Sequence, residues 1–510
     1  MVPNPTFTRK YRSWRRRLIR VSSWGCGTII VLLLVLVGTL FLILNPIPGG
    51  YPIITNPIEP PAPAHYAAFD LDGFESPYLG HTGSWDGKGG AMFGGSKRSD
   101  LDKEVAMGLR WTFMPVHWRA MEPDGSVNPS QQVPDAWREL DGFVIEAQRR
   151  KLNILMQVVI GGNAGGPPDW AGRREPGKSA PADMAAAAAF AGKLAARYAP
   201  RGVLATDRGW AARFGVRAWE LDNEPESYRT CWKDQAGDYA EFATLATEQI
   251  KSADGKAMIL LPAVAGGGNA NSWVQAALGA NPTDGSPTYR HRGRAFSIGP
   301  IAGGVSFHTY EGLETAFSRT DRTIENDFGD LRDLFEKSES RVSRLTYVRK
   351  REYWHTEGNF DFIGLFSAPR RAAWQIQFFT RAFAAGIRKV CVMDPSAPEQ
   401  AAVKAYVATL PWPFPMRPAD AEVKVLHGAA AFRHLDGKDP DAGQVWVIWA
   451  IAGTGEAKVE LPVIRGNLIL INVDGAKSDV SASGGHVAIN LQGDAKMAPP
   501  ILVVDRQSSQ

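Results

Sequence analysis

From about residue 64 to 412 the chain alternates short apolar runs with helix-patterned stretches, and nothing else in the sequence limits its fold so strongly. Strands are predicted over Leu109–Val116, Leu152–Ile160, Val216–Leu221, Ala257–Val264, Gly304–His308, Tyr353–Thr356 and Ile387–Met393, with an opening strand near Tyr66–Leu71. Between them lie helical spacings. Trp137, Leu140, Val144 and Ala147 share one face, as do Tyr239, Phe242, Leu245 and Gln249. Met184–Tyr198 is an Ala-rich helix with Pro181 and Asp183 as start signals, and Arg371–Ala385 is another. Parallel neighbours need a long crossover, usually a helix, so the alternation predicts an α/β fold with a parallel sheet. Eight such units predict a closed (β/α)8 barrel. An open doubly wound sheet is the alternative, but no Gly-rich phosphate turn follows the first strand.

After Pro411-Trp412-Pro413 the pattern changes. Short strands are predicted over Ala421–Leu426, Val445–Ala450, Lys458–Val463, Leu468–Val473, His486–Leu491 and Ile501–Val504, separated by Gly, Asp and Asn turns. Residues 413–510 therefore read as an all-β domain, expected to be a sandwich. No internal repeat is seen, and Gly266-Gly267-Gly268 reads as a loop.

The N-terminus carries a different message. Arg9, Lys10, Arg12, Arg15, Arg16, Arg17 and Arg20 fall within residues 1–22, which hold no acid, although the whole chain is only +4. The basic charge belongs to this tail, so it argues membrane topology and not nucleic-acid binding. Trp24 to Leu44 is uncharged and apolar or small, about the length that crosses a bilayer as a helix. Residues 23–45 are therefore an expected anchor, with the tail cytoplasmic and the bulk of the chain outside. A cleaved signal peptide is the competing reading, but Asn45-Pro46-Ile47-Pro48-Gly49-Gly50 replaces a small-x-small cleavage site. Seven prolines between 46 and 63 make a stiff spacer. Cys26, Cys231 and Cys391 form no disulfide framework, and no metal-ligand spacing of Cys or His occurs, so neither a metal nor a cofactor is expected.

Two stretches carry chemistry. In Trp219-Glu220-Leu221-Asp222-Asn223-Glu224-Pro225-Glu226 an apolar strand ends and carboxylates begin. In Trp354-His355-Thr356-Glu357-Gly358-Asn359 a second strand ends on Glu, with Gly358 read as letting the chain turn. Side chains at the C-terminal strand ends build a barrel's active site. Cleaving a glycosidic bond needs two carboxyl groups, one protonated to assist the leaving oxygen and one ionised to attack. Between these stretches, Val305-Ser306-Phe307-His308-Thr309-Tyr310 brings a His and a Tyr to a third strand end. Each motif has a plainer reading. Asn-Glu-Pro can start a helix, Asp222, Glu220 and Glu226 read as barrel or loop carboxylates, and buried Trp is common.

Taken together, the motifs resemble the clan A glycoside hydrolases, barrel enzymes with catalytic glutamates after strands four and seven. Asn223-Glu224-Pro225 matches the motif of the acid/base, Thr356-Glu357-Gly358 approximates that of the nucleophile, and His308-Thr309-Tyr310 matches the His-x-Tyr of strand six. Trp118-Arg119-Ala120-Met121-Glu122-Pro123-Asp124-Gly125 matches a pattern after an early strand, strongest in families 5, 39 and 42. The resemblance spans about residues 100–395 and implies a retaining glycosidase. It makes Glu224 the general acid/base and Glu357 the nucleophile, with Asn223, His308, Tyr310, Trp118, Trp170 and Trp354 as substrate contacts. Two positions depart from the family: Phe113, beside Arg110, stands where it carries an Arg, and Val392-Met393-Asp394 where it carries a Trp.

The expected substrate is a β-linked polysaccharide, cut internally outside the membrane, with an exopolysaccharide export machinery as an expected partner. A barrel that only binds or guides a glycan, and a transglycosylase, remain open alternatives.

Overall fold

The computed structural model describes residues 76–505 apart from 82–97, 130–132, 162–166, 174–179, 212–213, 228–231, 233–234, 266–267, 280–288, 312–322, 343–350, 359–365, 394, 426–428, 436–443, 451–455, 463–466 and 493–498. The basic tail, the apolar run, the spacer and the expected strand at Tyr66–Leu71 all lie outside the described residues. Among the described residues no helix is long and apolar enough to cross a membrane.

Eight parallel strands close a barrel in sequence order: β1 Tyr78–His81, β2 Trp111–His117, β3 Asn153–Val159, β4 Ala218–Leu221, β5 Met258–Val264, β6 Gly304–His308, β7 Glu352–Glu357 and β8 Lys389–Met393. Each strand is followed by a helix: α1 Arg98–Ala106, α2 Asp135–Arg149, α3 Met184–Tyr198, α4 Ala236–Ala253, α5 Gly268–Leu278, α6 Ile324–Val342, α7 Ala368–Ala385 and α8 Ala397–Thr409. The start signal of α3 acts as expected. The Asp183 carboxylate caps α3 by accepting from Ala186 N at 2.9 Å, and Ser396 and Glu399 form a capping box at α8. The first barrel strand is Tyr78–His81, whose Tyr78 pairs with Val390 and whose Leu79 pairs with Trp111, closing the ring.

Successive strand residues face opposite sides, which sorts the core into two layers. Leu79, Trp111, Phe113, Leu155, Ala218, Leu260, Trp354 and Cys391 form a cluster inside the barrel. Met114, Val116, Ile154, Met156, Trp219, Leu221, Val305 and Phe307 join the larger cluster between barrel and helices. The N-terminal mouth is plugged. The Lys389 ammonium lies 4.5 Å from the ring centre of Trp111 and 5.0 Å from that of Trp354, and donates to Ser76 O at 2.7 Å. Arg110 precedes β2 at this closed end, so it does not take the place of an Arg at the catalytic end.

Beyond α8 the chain forms two antiparallel sheets. One contains β9 Met416–Pro418, β11 Ala429–Leu435, β12 Gln444–Ala450, β17 Ile501–Asp505, β14 Asn467–Ile471 and β15 Lys477–Ser481, in that order. The other contains β10 Lys424–Val425, β13 Glu456–Pro462 and β16 His486–Gln492. Trp446 and Ile448 of β12 pack with Val459 and Leu461 of β13 and Val487 and Ile489 of β16 in a core shared by both sheets. The other face of β12, with Val445, Val447 and Trp449, joins the barrel's outer core, which explains why the whole strand is buried. One expected strand changes: in place of Ala421–Leu426 there is a 3-10 turn at Asp420–Glu422 followed by the two-residue β10, and β9, β11 and β15 were not foreseen.

Candidate active site

Glu224 follows β4 and Glu357 ends β7, the fourth and seventh barrel strands. An oxygen of Glu224, an oxygen of Glu357 and a ring nitrogen of His308 lie within 4.8 Å of one another. Each of the three groups also has a side-chain partner. His308 Nδ1 contacts Glu224 Oε1 at 3.1 Å. The Tyr310 hydroxyl donates to Glu357 Oε1.

The backbone that presents Glu224 is bent out of the strand. Asp222 (φ 65°) and Glu224 (φ 43°) both occupy the left-handed region, which is uncommon for residues other than glycine. Local bonds hold this strained segment. Asp222 is fully buried, and its Oδ2 accepts from Trp232 Nε1 at 2.6 Å and from Gly161 N at 3.1 Å. Glu224 N donates to Ala263 O at 2.9 Å, and Ala263 itself sits at φ 55° beside a register shift in β5. Asp222 is thus a clamp on the segment that carries Glu224.

Below the pair lies a buried polar layer. Glu220 Oε1 accepts from Thr356 Oγ1 at 2.8 Å, and its Oε2 accepts from Gln157 Nε2 at 2.7 Å. Gln157 also donates to Asn223 Oδ1 at 3.1 Å, fixing that side chain beside Glu224. Burial pushes the Glu220 carboxyl up, against the charge of His308 and the hydrogen bonds it receives. His308 is fully buried. Burial opposes its charge, but the Glu357 charge, the bond to Glu224 and the charges of Glu224 and Glu220 outweigh this and push it up to about 9. With the ring protonated, Nδ1 donates to Glu224. His355 goes the other way. Burial and the His308 charge lower it to about 3, so its neutral Nε2 can accept from Thr309 N at 3.3 Å. Gly358 is required by close approach: a Cβ there would lie 2.3 Å from Thr309 O and 2.5 Å from His355 Nε2.

The tryptophans need correction. Trp118 is fully buried, stacked on Phe190 at 6.1 Å, and donates to Glu122 Oε2 at 3.0 Å. Glu122 is in turn paired with Lys193 at 2.7 Å. The Trp-Arg-Ala-Met-Glu stretch thus pins a loop, and its tryptophan has no open face. Trp354 is 1% exposed inside the barrel and donates to Glu352 Oε2 at 2.9 Å. It is core, with no path to a ligand. Trp170 alone of the three is exposed, at 37%, set edge-on to Trp118 with 5.4 Å between ring centres and donating to Glu122 O at 2.7 Å.

Two residues near the pair were not foreseen as site residues. His81 ends β1, packs its ring 4.6 Å from that of Phe113, and feels the Glu357 charge. It pairs in register with Phe113, the position at which the family carries an Arg; a short strand holding Gly80 gave no signal for it. Glu226, read as a loop carboxylate, accepts from Ala265 N at 2.6 Å and feels the charge of Glu224.

No protein-family model matches the sequence, and no curated protein matches it. By fold, the chain is similar to a glucosidase from Croceicoccus marinus, with a TM-score of 0.52, 13% identity, and 80% of this chain and 92% of that chain covered. It is also similar to AbfB, a family 51 α-L-arabinofuranosidase from Bifidobacterium longum, with a TM-score of 0.51, 10% identity and coverage of 85% and 95%. CelM2, a bifunctional glucanase-xylanase from a metagenome library, gives 0.50 and 15% identity, with coverage of 80% and 94%. At these identities the likeness is one of fold.

Proposed function

We propose that this protein is a retaining glycoside hydrolase that cuts a β-linked polysaccharide outside the membrane to which its N-terminus anchors it. One observation carries the reading: two glutamates from β4 and β7 approach within 4.8 Å, each held by its own partner. Carboxyl groups about 5–5.5 Å apart fit a covalent mechanism, whereas inversion needs roughly 6.5–9.5 Å to admit a water. Likeness in fold to a glucosidase, an arabinofuranosidase and a glucanase-xylanase supports the same class.

The steps follow from the contacts. Glu224 gives its proton to the departing glycosidic oxygen while a Glu357 oxygen attacks the anomeric carbon, so the carbon–oxygen bond breaks as the glycosyl ester forms. Tyr310 occupies Glu357 Oε1, which leaves Oε2 to attack. Glu224, now ionised and stabilised by the His308 imidazolium, takes a proton from water. The resulting hydroxide equivalent releases the sugar with its configuration retained.

Aromatic faces suit successive sugar rings in an open groove, and the exposed ring of Trp170 is the platform for that role. Asn223, held by Gln157, is placed to bind sugar beside the acid/base. An anchored enzyme is suited to a chain leaving its own cell, so an exopolysaccharide and its export machinery are the proposed substrate and partner. On a panel of soluble glycans the full chain should release reducing ends, and on its substrate oligosaccharides should appear early with a rapid fall in viscosity. Monosaccharide release with chain length barely changed would mean exo action and refute the groove.

The topology has its own test. Protease added to intact cells or spheroplasts should release a fragment starting near the Pro-rich spacer. Protection of the barrel until lysis would overturn the orientation drawn from the arginines.

A further inference from the structure

Glu226 is a third carboxyl beside the catalytic pair with no part in the steps above. It lies two residues from Glu224, and both are stitched to the irregular end of β5. Glu224 N donates to Ala263 O at 2.9 Å, and Glu226 Oε1 accepts from Ala265 N at 2.6 Å. The turn between them is closed by Ser227 N donating to Glu224 O at 2.9 Å. Glu226 Oε2 is buried and, among the described residues, has no hydrogen-bond partner. An ionised carboxylate would leave that oxygen uncompensated away from water, which is costly, whereas a protonated one would not.

Resting on the assignment of Glu224 as acid/base, we propose that Glu226 is a positioning residue that retains the catalytic proton jointly with Glu224, the two carboxyls holding one proton between them at neutral pH. The groups facing Glu226 come from four elements. Glu224 from the β4 end opposes its ionisation, while Ala265 N from the β5 end and the His308 cation from β6 favour it. The Tyr239 hydroxyl of α4 donates to Leu221 O at 2.8 Å and feels the Glu226 charge. Burial first, and then the Glu224 charge, push Glu226 up to about 7. Two neighbouring carboxyls behave as one titrating unit, because the second negative charge must form beside the first. The pair then solves a problem that His308 creates. The imidazolium bonded to Glu224 suits the ionised acid/base of the second step, whereas the leaving oxygen of the first needs a proton. Glu226 makes full ionisation of the pair unfavourable, so one proton stays in reach of the glycosidic oxygen up to neutral pH.

The test reads the pair without needing a substrate. The full chain in detergent micelles is titrated by pH-difference infrared spectroscopy of protonated carboxyl bands. Wild type should show a carboxyl titrating near pH 7, and Glu226→Gln should lose it. Glu224→Gln should move its midpoint down by about one pH unit, a tenfold change in proton affinity, because the opposing charge has gone. This second variant keeps the test decisive if Glu226→Gln does not fold. A band unmoved in Glu224→Gln, or still present in Glu226→Gln, overturns the proposal. The pH profile of reducing-end release adds a readout that a merely structural role would not move. Glu226→Gln should bring the basic limb to lower pH and leave the acidic limb in place, whereas a uniform loss at all pH values would refute a role in holding the proton. Hydrolysis surviving in Glu224→Gln sinks the acid/base assignment instead, whatever the infrared titration shows.

Discussion

Replacing Glu357 by Ala is expected to lower turnover by roughly 10⁴-fold or more, the scale seen when a member of a cooperating catalytic set is removed. Its backbone place at the end of β7 does not depend on its side chain: Thr309 N bonds to the Glu357 carbonyl at 3.2 Å, and Gly358 packs on Thr309 O and His355. The variant should therefore fold and leave a space where the carboxylate stood. Azide can enter that space and attack the anomeric carbon from the same side while Glu224 still assists departure. Partial rescue should follow, and the product should be a glycosyl azide of inverted configuration, identified by proton NMR. In Glu224→Ala the opposite holds. The glycosyl ester still forms from an activated aryl glycoside, and azide should release a product of retained configuration. An unimpaired Glu357→Ala enzyme, or azide rescue with the two configurations exchanged, would remove the assignment of roles.

The barrel was legible in the sequence because its strands are buried on both faces and so appear as unbroken apolar runs. Gly304–His308 and Met184–Tyr198 lie where they were predicted, and β3 differs from its predicted run by a residue at each end. The strands that were missed lack that signal. β1 has four residues, one of them glycine. β11 opens on three alanines, a residue poor in strand preference, and gains its place by pairing along its whole length with β12. β15 is an edge strand, mostly exposed, with Lys477 and Asp479 where apolar alternation would be needed to see it. In the site, the positions of the two glutamates were readable because strand ends in a barrel have a known destination. The tryptophans were not, since a ring that fills a core and a ring that carries a sugar look alike in sequence. Only the packing of Trp118 on Phe190 and of Trp354 in the barrel separates them from Trp170.

The second large effect is expected at Arg381. Arg381 lies on α7, is 1% exposed, and reaches two acids. Its Nη1 and Nη2 donate to the Glu311 carboxylate at 2.9 and 2.8 Å, and its Nε donates to Glu325 Oε1 at 2.7 Å. Glu311 also accepts from Trp374 Nε1 at 2.9 Å and from Ile324 N at 3.0 Å, where α6 begins. Beside it, Thr309 Oγ1 donates to Asp327 Oδ2 at 2.9 Å. These bonds fix residues 309 and 311 on either side of Tyr310, the residue that holds Glu357. Arg381→Met should cost about 3–5 kcal/mol of stability, because two buried carboxylates lose their counter-charge. Adding Glu311→Gln and Glu325→Gln should recover much of the loss, since the penalty comes from unpaired charge and not from the missing pair itself. Denaturant titrations of the single and the triple variant measure both effects. A loss under about 1 kcal/mol in Arg381→Met, the scale of an exposed ion pair, would mean that water reaches the cluster and that another contact holds the Tyr310 loop.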